Sequence, residues 1–260
     1  MIAMIQIKNS EQISIMKEAG RITAEALLAA RENVREGIST YELDKIIRNH
    51  IEKSGAKPSF LGYAGFPGSA CISINDEVIH GIPSKSRILQ EGDIVKIDVG
   101  AYYKGFHGDS ARTFPVGRVS EEALRLIEAT KESFYAGIAA VKNGNRIGDV
   151  GYAIDNCVSS YGYNTVKKYI GHGIGKELHE SPDVPNYGTP GRGVRICSGL
   201  ALAIEPMVNV GTEKVIELAD GWTVKTADGK LSAHYENTVV LTDKGLLILT
   251  EVEKENFFPR

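Results

Sequence analysis

Apolar positions in the first 55 residues follow a helical repeat. They recur at helical spacing between Ser10 and Arg35, and Gly37 is expected to end this first helix. Ser39 and Glu42 have the spacing of a capping box, which predicts that a second helix begins there and closes at Gly55. The chain is therefore expected to open with two consecutive helices before its strands begin.

The apolar pattern then changes from helical spacing to the alternation of strands. A short strand is predicted over 70–74, and β-branched residues from Ile94 onward predict one arm of a hairpin that turns at 104–105. In that register Asp98 and Asp109 are diagonal neighbours on one face, roughly 7–8 Å apart at the backbone. A slip of one residue would place them on opposite faces, so this prediction depends on the turn.

A second cycle of helices and strands is predicted in the later part of the chain. Helices are expected over 121–141 and 150–161, and the apolar run LALAIEPMV at 200–208 is typical of a buried strand. A hairpin around Asp228-Gly229 is expected to lead into a last strand over 231–242. Both cycles thus place helices before strands, as in an α+β fold.

The two cycles can be superimposed in sequence at a shift of 107 residues, which brings Asp98 onto Glu205. Identities at this shift are sparse, but helix ends, strand starts and this acidic strand residue all keep the same spacing. We therefore expect one domain over 1–260, built from two similar halves at roughly 1–115 and 116–250.

The composition is that of an ordinary soluble globular protein. Of the 260 residues, 42% are hydrophobic and 24% are charged, and a net charge of −3 gives no basis for expecting nucleic acid or an anionic membrane as a partner. No apolar run approaches the ~18 residues of a membrane span, and the opening segment lacks the pattern of an export signal. Three cysteines without metal-finger spacing are expected to be reduced thiols in the cytoplasm: Cys71, Cys157 and Cys197.

Four carboxylates and one histidine stand out along this pattern. Asp98 is flanked by apolar residues, Glu205 ends an apolar strand before a proline, and Glu236 lies inside an apolar run. Taken singly, Asp109 is better explained as a solvated turn residue, the glutamates as edge residues or ion-pair partners, and His172 as a turn histidine. The three glycines of GHGIG predict a bare loop that presents the His172 ring instead of burying it.

Together these five side chains have the composition of a metal site. Oxygen-rich sites with one nitrogen ligand suit Mn, Fe or Co, and they accommodate Zn. Four carboxylates around one cation carry excess negative charge, whereas two cations bridged by carboxylates are balanced and can activate a shared water. The sequence contains no G-x-G-x-x-G, P-loop, nucleophile elbow or HExxH motif, so the chemistries of those motifs find no support. The predicted ligand set is Asp98, Asp109, His172, Glu205 and Glu236.

Several motifs closely resemble those of the methionine aminopeptidases, in particular the short bacterial type I enzymes. These motifs are KIDVGAYYKGFHGD, YIGHGIG, LAIEPMV, HYENTVV, CISINDEVIHGIP and GWTVKTADGKLSAHYE. The resemblance extends from about Ile7 to Thr250, and the interval between His172 and Glu205 has no room for the long helical insertion of type II enzymes. It implies the α+β pita-bread fold, with two pseudo-symmetric halves around a central antiparallel curved sheet and helices on the outer face.

The resemblance also implies a cofactor and a set of catalytic residues. The five predicted ligands would hold two divalent metal ions per chain, drawn from Co, Mn, Fe and Zn. A water that bridges the metals would attack the carbonyl of the first peptide bond, and Glu205 would relay its proton to the leaving amine. His80 would contact the scissile amide nitrogen, and His179 would stabilise the developing oxyanion. Without the resemblance, His80 is equally well explained as a satisfied loop histidine, and His179 with Glu180 as a surface ion pair.

The resemblance further implies an apolar socket for the methionine side chain, bordered by His80 and His179. The residues at the matching positions are Phe60, Tyr63, Phe66, Cys71, Leu178 and Trp222. The chain departs from the commonest bacterial pattern where Phe66 replaces a tyrosine, Leu178 a phenylalanine, Phe60 a small residue and Asn237 a frequent histidine. The socket stays apolar in spite of these changes, so methionine is still expected to fit.

The implied partners are peptides and nascent chains that begin with methionine, including chains still at the ribosome. A cytoplasmic monomer is expected, with no nucleic acid or membrane partner of its own. Three alternatives remain: a proline-specific aminopeptidase or prolidase of the same fold, an inactive binding protein of that fold, and a metal-dependent phosphohydrolase. The chain is short for the extra N-terminal domain of the first, the five ligands argue against the second, and no motif supports the third.

Overall fold

The computed structural model describes residues 5–251, which contain four α-helices and fifteen β-strands. The predicted domain limits at 1 and 260 lie outside the described residues. So does part of the opening segment, which lacks the pattern of an export signal. The helices are α1 (Ser10–Arg31), α2 (Thr40–Lys53), α3 (Glu121–Ala139) and α4 (Ile147–Ser160). The strands are β1 (Lys57–Pro58), β2 (Ala70–Ile74), β3 (Glu77–Ile79), β4 (Ile94–Tyr103), β5 (Phe106–Pro115), β6 (Asn164–Thr165), β7 (Gly171–Gly173), β8 (Glu180–Val184), β9 (Ala201–Ile204), β10 (Met207–Asn209), β11 (Val215–Glu217), β12 (Val224–Thr226), β13 (Ser232–His234), β14 (Asn237–Thr242) and β15 (Gly245–Ile248).

The starts of the helices follow from local hydrogen bonds at their caps. The predicted capping box of α2 is confirmed, because Ser39 Oγ accepts from Glu42 N at 3.2 Å and the Glu42 carboxylate accepts from Ser39 N at 3.0 Å. Helix α4 begins three residues earlier than the apolar pattern predicts. There the Asp149 carboxylate accepts from the backbone N–H of Arg146 at 2.7 Å, a cap that the apolar pattern does not reveal.

The end of α1 differs from the prediction. The helix ends at Arg31 and not at Arg35. The side-chain amide of Asn33 donates to the carbonyl oxygen of Ala29 at 2.9 Å. The chain then turns, and Ile38 is buried in the core. Burial of this apolar side chain between the two helices therefore decides the boundary, and apolar spacing alone does not reveal it.

The predicted hairpin is confirmed as the longest strand pair in the described residues. Strands β4 and β5 run antiparallel over ten residues each, and Gly100 pairs with Asp109 across the ladder. The two-residue turn has positive φ at both positions, 45° at Lys104 and 92° at Gly105, as the turns of tight hairpins require. Asp98 and Asp109 are therefore diagonal neighbours on one face of this ladder.

The hairpin predicted around Asp228-Gly229 is wrong. Strand β12 pairs with β11 and β3, whereas β13 pairs with β10, so the turn connects two different sheets. The Asp228 carboxylate accepts from Thr212 N at 2.8 Å, and Ser232 N donates to Asn75 O at 3.1 Å. These contacts come from distant segments, and they displace the local pairing that the turn residues favour.

The strands form four antiparallel sheets that meet near the centre of the molecule. Their orders are β1-β4-β2 with β5 beside β4, β13-β10-β6, β11-β12-β3 and β15-β14-β9-β7-β8. One buried cluster contains side chains between Ile22 and Val116, and a second is built mainly of side chains from 123–241. The mixture of helices and antiparallel sheets is the α+β class that the sequence predicts. Within the described range, no helix is long and apolar enough to cross a membrane.

Several features repeat at the spacing of 107 residues that the sequence suggests. Helix α4 begins and ends at this spacing after the beginning and end of α2. The short strand β6 follows β1 at the same spacing. The backbone bridge between Ser39 and Ile88 has its counterpart between Arg146 and Arg195. The division of the whole chain into halves at 1–115 and 116–250 stays a prediction, and these repeated contacts are in agreement with it.

Candidate metal centre and substrate pocket

A cavity of about 150 Å³ is lined by residues from both the earlier and the later parts of the chain. It brings together every residue that the sequence predicts for the site. Carboxylates, histidines and apolar side chains all contribute to its lining. The lining residues are Phe60, Tyr63, Phe66, Cys71, His80, Asp98, Asp109, His172, Leu178, His179, Glu205, Trp222 and Glu236.

The five predicted metal ligands reach this cavity from different elements. Asp98 and Asp109 project from β4 and β5, and His172 lies in β7. Glu205 follows β9 directly, and Glu236 lies in the two-residue break between β13 and β14. Ligand atoms of Asp109, His172 and Glu236 all lie within 4.8 Å of one another. This spacing suits side chains that bind a common cation or two adjacent ones.

Contacts between the halves hold Asp109 beside Glu236. The backbone N–H of Glu236 donates to Ala111 O at 2.9 Å, and Ala111 N donates in return to Glu236 O at 3.3 Å. The Thr238 hydroxyl accepts from Asp109 N at 2.9 Å and donates to Asp109 O at 3.0 Å. The position of this carboxylate pair therefore depends on hydrogen bonds between residues more than 120 apart in sequence.

The four carboxylates are buried together, and their pKa values are all raised. Burial raises the pKa of Asp98 from 3.8 to about 7. Burial and the neighbouring carboxylates raise the pKa values of Asp109, Glu205 and Glu236 well above their ordinary range. The nearby Arg112 opposes the effect at Glu236. Four like charges this close are unfavourable in a buried site unless protons or cations compensate them.

Three oxygen atoms in this cluster lack the hydrogen bonds that buried acceptors normally make. Among the described residues, Asp98 Oδ1, Asp109 Oδ1 and Glu236 Oε1 are buried without a donor. An unsatisfied buried polar atom costs roughly 1–3 kcal/mol, so native folds contain few of them. Buried carboxylate oxygen atoms without donors fit divalent cations, as does the set of four carboxylates and one imidazole.

The His172 ring is held in the tautomer that a metal ligand requires. Its Nδ1 lies 2.9 Å from the carbonyl oxygen of Gly173, and a carbonyl can only accept, so Nδ1 carries the hydrogen. The lone pair is then on Nε2, which lies 3.6 Å from Glu205 Oε1. Burial lowers the pKa of His172 to about 3, so the ring is neutral. A neutral ring oriented through its other nitrogen is a common arrangement in metal sites.

The glycines around His172 allow close packing, contrary to the bare loop predicted for this segment. His172 is buried in β7, where a Cβ on Gly171 would lie 2.4 Å from Ala203 O and one on Gly173 would lie 2.4 Å from Ser181 O. These glycines bring neighbouring backbone within contact distance and leave the imidazole facing the cavity. The prediction of an exposed histidine is therefore wrong, whereas its direction toward the cavity agrees with the predicted role.

His179 lies beside His172 in the lining of the cavity, and Tyr63 fixes its position. The Tyr63 hydroxyl lies 2.6 Å from His179 Nδ1, and the rings of His179 and His172 are 4.2 Å apart. Burial lowers the pKa of His179. The alternative of a surface ion pair with Glu180 is wrong, because Glu180 pairs with Lys8 at 2.5 Å and both of these side chains are buried, with 6% and 4% exposed.

His80 lies at the junction between the polar and apolar sides of the cavity. Its backbone has a positive φ of 60°, which turns the chain sharply after β3. Its ring packs edge-on against Tyr169 and Trp222, with centroid distances of 5.9 and 6.3 Å. Burial lowers the pKa of His80 to about 4, so the ring is neutral. The ring thus faces both the carboxylates and the socket.

The apolar residues of the lining pack against one another and against the strand that carries Asp98. Phe66 packs edge-on against Trp222 at 5.1 Å, and Cys71 pairs with Asp98 across the β2–β4 ladder. Burial raises the pKa of the Cys71 thiol. Tyr63 is 43% exposed and marks the mouth of the cavity. Cys71 in β2 therefore brings the lining of the socket next to Asp98 in the adjacent strand β4.

Three polar residues next to the ligands were not selected from the sequence. His234 is buried with Nε2 at 3.7 Å from Glu205 Oε2, and Asn186 Nδ2 donates to Glu205 O at 2.9 Å. Arg112 donates to Glu236 O at 2.5 Å and to Asn237 Oδ1 at 2.9 Å, which gives the unusual Asn237 a definite role. Only His234 carries a sequence signal, since it lies two residues before Glu236 in an apolar run.

Comparisons with known proteins agree with this geometry. The family model described as Metallopeptidase family M24 matches residues 14–243. A methionine aminopeptidase of Clostridium acetobutylicum is 53% identical over 250 residues, covering 96% of this chain and 100% of that protein. The crystal structure of a methionine aminopeptidase from Thermotoga maritima superimposes with a TM-score of 0.94 at 43% identity, covering 96% of this chain and 100% of that one.

A prolidase from Pyrococcus furiosus shares the fold at a greater distance. It superimposes with a TM-score of 0.78 at 26% identity, and the match covers 95% of this chain but 66% of the prolidase. The methionine aminopeptidases match over their full length and at higher identity. The chain therefore belongs to metallopeptidase family M24, among its methionine aminopeptidases.

Proposed function

We propose that this chain removes the N-terminal methionine from peptides and nascent proteins by hydrolysis of the first peptide bond. The observation that carries the proposal is one cavity that is lined both by five potential metal ligands and by a set of apolar side chains. Membership of a family whose relatives are methionine aminopeptidases supports the same activity. The chain would act as a single catalytic domain.

Two divalent ions would be held by Asp98, Asp109, His172, Glu205 and Glu236. When bound, such ions supply Lewis-acid polarisation of the scissile carbonyl and a water of lowered pKa. Four carboxylates balance two divalent charges, which supports a pair of ions over a single one. The ligand set accepts Mn, Co, Fe or Zn, and availability would decide among them.

Glu205 would hold and move the proton in the reaction. Burial and the neighbouring carboxylates raise its pKa, so it can take up a proton more readily than an exposed glutamate. Its carboxylate faces His172 on one side, and Asn186 holds its backbone carbonyl. A general base that is fixed in this way can transfer the proton to the amine of the departing chain.

His179 and His80 would bind the scissile amide. If the Tyr63 hydroxyl donates to His179 Nδ1, the N–H of His179 is on Nε2 and can donate to the developing oxyanion. The neutral His80 ring has a lone pair that can accept the amide N–H of the scissile bond. The two neutral rings would thus orient the substrate through hydrogen bonds and add no positive charge beside the metals.

Methionine specificity would come from the socket. Phe60, Phe66 and Leu178 provide buried apolar surface, and Cys71 adds a polarisable sulfur. A long unbranched side chain fills such a pocket, whereas a charged one would lose hydration without a partner. We further propose a monomer in the cytoplasm that acts on nascent chains at the ribosome.

The experiment is release of free methionine from Met-Ala-Ser by metal-free protein and by protein given Mn²⁺ or Co²⁺. A peptide with proline second and no methionine first serves as the comparison substrate. Metal-dependent cleavage of the methionyl peptide alone is the expected result. Cleavage mainly of the prolyl peptide would assign the chain to the proline-specific enzymes, and cleavage of neither with metal bound would indicate an inactive binding protein.

A further inference from the structure

Glu205 lies between two buried histidines. Its Oε1 is 3.6 Å from His172 Nε2, and its Oε2 is 3.7 Å from His234 Nε2. His172 lines the cavity, whereas His234 is absent from the lining and lies behind the carboxylate. The two oxygen atoms of Glu205 therefore face different imidazoles, one on the cavity side and one on the protein side.

The backbone of His234 is fixed. Its N–H donates to Thr113 Oγ1 at 2.9 Å, and its carbonyl accepts from the same hydroxyl at 2.9 Å. It also pairs with Met207 across the β10–β13 ladder. The residue is 1% exposed, so its ring cannot turn toward solvent without disrupting the sheet. The ring is held in place next to Glu205.

Neither ring nitrogen of His234 has a hydrogen-bond partner among the described residues. An imidazole carries at least one N–H, and a buried donor without an acceptor is costly. Glu205 Oε2 is an acceptor at 3.7 Å, a separation that a small rotation of either side chain reduces to hydrogen-bond length. The hydrogen bond would satisfy the donor and fix the carboxylate at the same time.

We propose that His234 is a positioning residue for Glu205. Its Nε2–H donates to Oε2 and holds the carboxylate in the plane that directs Oε1 to the metal side. The inference deepens the proposed function, since it rests on Glu205 as a metal ligand and proton carrier. His234 itself touches neither substrate nor metal. Hydrogen bonds of this kind to a ligating carboxylate are typically worth 10–100-fold in metal affinity or activity.

The test compares His234→Phe and His234→Leu, which lack a donor, with His234→Gln, which keeps one. For the first two we expect kcat to fall about tenfold or more, KM to stay within about twofold, and the Kd for Mn²⁺ by calorimetry to rise about tenfold. His234→Gln is expected to stay within about threefold of the unsubstituted protein in each quantity. Circular dichroism and thermal unfolding of each variant confirm that it is folded before its kinetics and Mn²⁺ binding are compared.

A matched control is His50→Phe on α2, where the histidine is outside the cavity lining and faces Glu25 at 3.5 Å. It is expected to change neither kcat nor the Kd for Mn²⁺. Donor-free variants that are folded and bind Mn²⁺ normally would overturn the inference, as would a His234→Gln variant as impaired as His234→Phe. Loss of a metal-bound nitrogen from the pulsed EPR spectrum of His234→Phe would also overturn the inference, because it would show that His234 is itself a metal ligand. Because Mn²⁺ binding is measured without substrate, failure of the proposed peptidase activity is distinguishable from failure of this inference.

Discussion

The two halves of the molecule supply carboxylates to the metal centre in different ways. Asp98 and Asp109 are short side chains in the middle of the ten-residue strands β4 and β5, so the ladder places them on one face, and Thr238 adds hydrogen bonds to the backbone of Asp109. Glu205 and Glu236 have longer side chains and lie where strands are interrupted. The second half therefore needs side-chain support, which comes from His172 and the contacts of neighbouring polar residues. The strand ladder sets the face on which each aspartate lies, whereas a glutamate at a strand break depends on tertiary contacts for its position.

The largest effect should come from removing a ligand of the second half. His172→Ala and Glu205→Gln are expected to abolish methionine release, because each removes a group that no neighbour replaces. Chelator-stripped unsubstituted protein should also be inactive and recover with Mn, Co or Fe, while His172→Ala should not recover. Circular dichroism should show an unchanged fold. A fully active, folded variant of either kind would refute the ligand assignment for this half.

The next effect concerns the first half and depends on pH. The pKa of Asp98 is raised from 3.8 to about 7 in the folded protein, so its contribution to stability is complete below pH 4 and is lost as pH rises through 7. Asp98→Asn removes this titration. We compare the free energy of unfolding of the variant with that of the unsubstituted chain, both without metal. The difference should change by about 2 kcal/mol in favour of the variant between pH 5 and pH 8, because only the unsubstituted chain loses this contribution.

Denaturant unfolding of both proteins at the two pH values measures this difference. Saturating Mn²⁺ should reverse the order at pH 8, because the metal stabilises only the ionised carboxylate cluster. A difference that stays constant or changes sign in metal-free protein would contradict the raised pKa.

A smaller effect is expected where the halves join. Thr238→Val removes both hydrogen bonds between this hydroxyl and the backbone of Asp109, with little change in volume. We expect a loss of about 1–2 kcal/mol in the free energy of unfolding and weaker Mn²⁺ binding. Thr242→Val in the same strand is the matched control, since that hydroxyl is exposed and bonds only within its turn. Equal losses for the two variants would mean that the join does not position Asp109.

The smallest effect separates stability from activity. Ser39 caps α2 through its side chain, while the equivalent position of α4, Arg146, has no side-chain cap. Ser39→Ala should lower the free energy of unfolding by about 1 kcal/mol and leave kcat unchanged. Chemical denaturation and a kinetic assay on one preparation test both parts. A change in kcat would mean that the first-half helices act on the site and do more than support the hairpin.

This contrast also explains what could be predicted from the sequence. The register of Asp98 against Asp109 follows from a two-residue turn, and that interaction is local. The turn at Asp228-Gly229 carries an equally clear local signal, but pairing with distant strands prevails there. His234 could not be predicted as a site residue from the sequence, because its contact with Glu205 depends on β10 and β13 lying side by side. The motifs predict the ligand set, and only the fold reveals which residues would support it.

The buried ion pair between Lys8 and Glu180 has a practical consequence for handling the protein. It ties the start of the described chain to the residue after His179, and Gly175 leaves the space that the Lys8 stem occupies. Deleting the first eight residues would leave Glu180 as a buried charge without its partner, at a cost of about 3–5 kcal/mol. Amino-terminal trimming that removes Lys8 should therefore be expected to disturb the loop that carries His179.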